Sequence, residues 1–182
     1  MCISGCSSTT PPPPPHTGPI TCTTGCPSHP TYDPAAWNSP PIVNSTNCYA
    51  YASNDPAGHP PGKKPQPGQK CGSPATAAEC AEVHRASVCD GMLPAPDPPP
   101  PKAGYYPVAL VADPGVDYHW YRLDNDGMWS HKPGHGNATN KDASGNPITN
   151  PRAADRDYGR VNYKDFCGYF YVPAAGVRTG PP

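Results

Sequence analysis

Residues Asp117 to Gly134 read D-Y-H-W-Y-R-L-D-N-D-G-M-W-S-H-K-P-G, and this stretch decides the fold. Its flanks alternate in the manner of paired strands and are rich in aromatic residues. Between them lies Asn125-Asp126-Gly127. A three-residue hairpin loop needs left-handed backbone at its last position, and glycine adopts it without a Cβ penalty. The loop predicts that Asp124 pairs with Met128, Leu123 with Trp129, and Tyr121 with His131. His119, Tyr121, Leu123, Trp129 and His131 then share one face. Trp120, Arg122, Ser130 and Lys132 share the other. A slip of one residue would part the two imidazoles.

Working outward, Tyr105 to Ala112, Y-Y-P-V-A-L-V-A, reads as a buried strand with Pro107 near its start. Phe166 to Val172 reads as a final strand. Between hairpin and last strand, Gly134 to Arg160 is rich in Asn, Asp, Gly and Pro and reads as a long ordered loop. Upstream, Thr76 to Met92 is the clearest helix. Cys80, Val83, His84 and Val88 fall on one face, and Gly91 ends it. The order is helices, then three or four antiparallel strands, which is α+β. Residues 1–31 form a proline- and cysteine-rich arm, and residues 32–182 form one domain.

The 182 residues include 31 prolines and 18 glycines. The prolines cluster in Pro11–Pro15 and Pro94–Pro101, which read as polyproline II segments. Charged residues are 15% with net charge −1. No basic stripe marks a nucleic-acid or membrane footprint. No secretory leader or apolar run of membrane length is legible. Ile3-Ser4-Gly5-Cys6 has the form of a bacterial lipobox, which would make Cys6 a lipid anchor. Cys22-Thr23-Thr24-Gly25-Cys26 repeats the Cys2–Cys6 spacing, which reads instead as two disulfide-closed turns.

Nine cysteines in a chain this short point to an oxidising, extracellular or cell-surface location. Nine is odd, so one thiol is left over. Cys48, in T-N-C-Y-A-Y-A, is the candidate: Thr46 or Asn47 can cap a helix whose first turn holds it. We expect Cys80 to bond Cys167, tying helix to sheet, and Cys71 to bond Cys89. The four N-terminal cysteines suit disulfides better than zinc, because polyproline between them offers no hairpin to hold ligands. No metal or cofactor is expected. Asp124–Gly127 and Asp142–Asn146 carry calcium-type oxygens but are ordinary turn sequences. Eleven tyrosines and three tryptophans would suit a glycan- or peptide-binding groove, and equally the core of a domain with two phenylalanines.

A thiol opening a helix, a histidine on a later strand and a polar orienting group form the papain-like order of parts. In this order the chain resembles the NlpC-type cell-wall peptidases and their CHAP amidase relatives, including the twelve-residue step from His119 to His131. The resemblance implies a small papain-like domain, with Cys48 as nucleophile, His119 as base and His131 as orienter. The expected function is a secreted or surface-attached, monomeric cysteine hydrolase cleaving an amide bond in a peptide or peptidoglycan-like substrate. The rival expectation is a non-enzymatic secreted structural, adhesive or carbohydrate-binding module stabilised by disulfides. From Trp37 to Val172 the chain also resembles a secreted family of bacteria and invertebrates, through N-C-Y-A-Y-A, P-Q-P-G, H-W-Y-R-L-D, W-S-H-K-P-G and F-C-G-Y.

Overall fold

A computed structural model describes residues 18–19, 28–57 and 63–180. The lipid-anchor and disulfide expectations at Cys2, Cys6, Cys22 and Cys26 lie outside the described residues. Four short helices come first: α1 (Pro34–Asn38), α2 (Ile42–Ser45), α3 (Cys48–Ala52) and α4 (Cys80–Asp90). Five strands follow: β1 (Leu93–Ala95), β2 (Tyr105–Asp113), β3 (Asp117–Leu123), β4 (Trp129–Ser130) and β5 (Asp165–Pro173). They form one antiparallel sheet in the order β1-β5-β2-β3-β4. The fold is α+β and disulfide-containing, with five strands where three or four were expected, because Leu93–Ala95 adds an edge strand beside β5.

The hairpin takes the register its loop predicts. Leu123 faces Trp129, the Asp124 amide donates to the Met128 carbonyl at 2.9 Å, and Gly127 has φ +82°. Side chains alternate across the sheet. Tyr106, Val108 and Leu110 point to a core completed by Trp120, Phe170, Val172, α3 and Val83 of α4. Ala109 and Val111 point the other way, against Tyr121, Leu123, Trp129, Tyr169, Ile148 and Tyr163. Helices therefore cover one face, and the long loop after the hairpin covers the other. Both faces are buried, so the hairpin has no solvated side: Arg122, Ser130 and Lys132 are fully enclosed.

Three expectations need correction. Helix α4 is shorter than Thr76–Met92, and Gly91 ends it at φ +114°. Its inner face is Val83, Ala86, Ser87 and Asp90, while Val88 is 38% exposed. A buried carboxylate turns the helix: Asp90 accepts from Tyr49 Oη at 2.7 Å and from the amides of Gly68 and Cys71 at 2.6 and 3.0 Å. Finally, the second proline run is not polyproline throughout. Pro94 sits in β1, at the sheet edge where its missing N–H is tolerated.

Both expected disulfides are present, Cys80–Cys167 and Cys71–Cys89, and Cys48 is the free cysteine among the described residues. Cys167 is the extra residue of a β-bulge in β5, where Leu110 faces Gly168 and Val111 faces Phe166. Gly68 is confined to glycine, since its φ is +87° and a Cβ would stand 2.1 Å from the Ser73 carbonyl oxygen. The described residues before Tyr32 are hydrogen-bonded to the sheet and its loops. The Gly18 carbonyl accepts from Asn150, that of Pro30 from the Asn125 amide, and that of Thr31 from Arg122.

Candidate functional site

Asn47 sets where α3 begins. Its side-chain oxygen accepts from the Ala50 amide at 3.1 Å, and its amide group donates to the Pro65 carbonyl at 2.8 Å. This cap places Cys48 in the first turn, 6% exposed, with α3 packed on β3. The thiol points to the Tyr118 carbonyl at 3.9 Å. No hydrogen bond joins it to His119, although both groups line the same cavity of about 130 Å³. Burial pushes the Cys48 thiol up to about 12, and the nearby Asp117 carboxylate adds to the rise.

The histidines meet as the hairpin register requires. His119 Nε2 and His131 Nδ1 lie 2.8 Å apart with rings at 89°. The far nitrogen of His131, Nε2, lies 2.8 Å from the Lys141 carbonyl. A carbonyl only accepts, so His131 Nε2 carries the proton. His131 Nδ1 then accepts, His119 Nε2 donates, and His119 Nδ1 holds a bare lone pair. Burial holds both imidazoles neutral. It takes His131 down to about 4, and it takes His119 well below the usual range, helped by its neighbour.

Two features escaped the sequence. Lys132 is fully buried and donates to the carbonyls of Val43, Thr46 and Gly134 at 2.9–3.1 Å. Burial and the neighbouring Lys64 ammonium lower it to about 8. On the same side of the hairpin, Arg122 binds Asp124 at 2.7 Å and lies 4.0 Å over the Tyr51 ring. Ser130 links Asp124 to Tyr51. Alternation put these side chains opposite the histidines but carried no sign that they would be enclosed.

A second cavity, of about 220 Å³, adjoins the first and shares His119 and Tyr163 with it. Four rings close around it. Tyr158 meets Tyr163 at 6.2 Å, Tyr163 stacks on His119 at 5.2 Å, His119 meets His131 at 4.9 Å, and His131 meets Tyr158 at 6.5 Å. Among the described residues, no three His, Cys, Asp or Glu side chains gather to hold a metal ion, and no helix is long and apolar enough to cross a membrane.

No family model matches the chain, and no solved structure matches it. Over 151 residues it is 43% identical to insoluble matrix shell protein 1 of Ruditapes philippinarum, an alignment that covers 81% of this chain and 93% of that protein. This finding overturns the expectation of an amide-cleaving cysteine hydrolase of the NlpC or CHAP type acting on cell-wall peptides. The two disulfides fit an extracellular location. The chain belongs to the family of insoluble matrix shell protein 1.

Proposed function

We propose that the chain is an extracellular structural protein of an insoluble secreted matrix. The observation that carries this reading is the 43% identity spanning nearly the whole of a matrix shell protein. The site's electrostatics agree with it. A nucleophilic cysteine works as a thiolate, usually beside a charged imidazole. Here the thiol and both imidazoles are neutral at pH 7. A net charge of −1 suits packing into a dense phase.

The arrangement of the domain is, in this proposal, papain-like: a helix opened by Cys48 lies on a sheet whose neighbouring strands present His119 and His131. An experimental structure tests this by superposition on papain-like domains. Helix and strands should align in the same chain order. Within that frame His119 and His131 act as one hydrogen-bonded pair, with His131 orienting His119, and Cys48 lines the cavity beside His119. Native-state alkylation, described below, tests whether Cys48 also has the reactivity of a nucleophile.

The functional test is rebinding. Purified chain is mixed with matrix stripped of its own protein, and the solids are sedimented. The chain should pellet and stay bound through washes at 1 M salt, because few charges are available to be screened. Recovery in the supernatant, or release by salt, would count against a structural role.

A further inference from the structure

The geometry points to the four-ring cavity of Tyr158, Tyr163, His119 and His131 as a binding site for one sugar ring of a neutral polysaccharide. This inference rests on the structural reading above and names the matrix component the chain would hold.

Two observations carry it. His119 is 3% exposed, yet its Nδ1 lone pair has no hydrogen-bond partner among the described residues, while its other nitrogen is fixed by His131. An acceptor left open on a ring that lines a cavity can take a donor from outside. Beside it stand aromatic faces. Tyr163 stacks on the His119 ring, and Tyr158, 41% exposed, forms the outer wall. A hydroxyl to the lone pair and a C–H face on the tyrosines is the pairing that a sugar ring offers. The volume, about 220 Å³, is below the roughly 300 Å³ where sites for drug-sized ligands begin. It therefore takes one ring, with the rest of the polymer outside.

Other occupants fit less well. Aromatic cages also hold cations. Here Arg160 lines the cavity and would repel one. A peptide strand needs backbone partners, but Tyr158, Arg160 and Tyr163 already donate their amides to Val161, Tyr158 and Arg156, and Pro133 has no N–H. Charged glycans would need a cationic surface larger than Arg160 alone supplies.

Titration of the full chain with cellohexaose and with the hexamer of N-acetylglucosamine tests the proposal. One of them should bind and should move the His119 Nδ1 resonance. Tyr158→Ala should weaken binding at least tenfold, and Tyr158→Phe should restore it. Tyr158 is exposed enough that neither change threatens folding. Failure of both oligosaccharides to bind, binding that Tyr158→Ala leaves intact, or preference for a trimethylammonium ligand or a peptide would overturn the proposal. If the chain still pellets with matrix while both sugars fail, the structural reading stands and this inference alone falls.

Discussion

Removing the Cys80–Cys167 bond should cost more than removing Cys71–Cys89, by an amount that chain entropy sets. The first closes a segment of 87 residues and the second one of 18. Loop-closure entropy then gives about 4.6 kcal/mol for the long link and about 3.2 kcal/mol for the short one. For a chain of this length, each kcal/mol moves the melting temperature by roughly 2–4 °C. Replacing Cys80 and Cys167 by serine should therefore lower it by roughly 9–18 °C. Replacing Cys71 and Cys89 should lower it by roughly 6–13 °C. Urea unfolding at 25 °C, followed by far-UV circular dichroism, measures both on a free-energy scale. Keeping the pH near 6 suppresses exchange with Cys48. If the short-link variant loses as much as the long-link one, or the long-link variant loses under about 1 kcal/mol, sheet and α4 are held by something other than this bond.

Burial keeps His131 neutral down to about pH 4, whereas the unfolded chain takes up that proton near 6.5. Its contribution is present above 6.5 and fades as the pH falls to 4, by about 3 kcal/mol. The stability gap between native protein and His131→Gln should shrink by that amount in urea titrations across this window. Asp124, raised to about 6, works in the opposite direction but is common to both proteins and cancels. A gap that does not change with pH would contradict the buried neutral pair. Iodoacetamide should alkylate Cys48 at pH 8 at least about 1000-fold more slowly than a free thiol, since its pKa stands about three units higher. A rate near that of free cysteine, read by intact mass, would reinstate a reactive site. Gly68→Ala should destabilise by more than 1 kcal/mol in thermal melts, because its Cβ would collide with backbone at Ser73. A neutral result would show that the loop can shift.

What the sequence made legible is what short-range chemistry controls. Asn125-Asp126-Gly127 set the hairpin register and thereby joined His119 to His131. Asn47 opened α3 at Cys48, and Gly91 closed α4. Cysteine parity and placement gave both described disulfides. What stayed hidden depends on contacts between distant segments. Pro94 entered a strand only because β5 offers an edge. Val88 turned outward because Asp90, with partners at Tyr49, Gly68 and Cys71, had to turn inward. Lys132 was enclosed because carbonyls from α2 and its C-cap converge on its ammonium. The function was misread for a related reason. The order Cys, His, His records which groups meet, while their protonation depends on how deeply the fold buries them.

The central claim is that this chain is a structural component of an insoluble matrix, and extraction of the native protein tests it most directly. The secreted matrix is washed in turn with buffer, with 1 M salt, with denaturant, and with denaturant plus reductant. The chain is quantified in each fraction and in the residue by peptide mass spectrometry. The account predicts that it remains in the residue through salt and is released only by the denaturing steps. Recovery of most of the chain in the first buffer wash would contradict it.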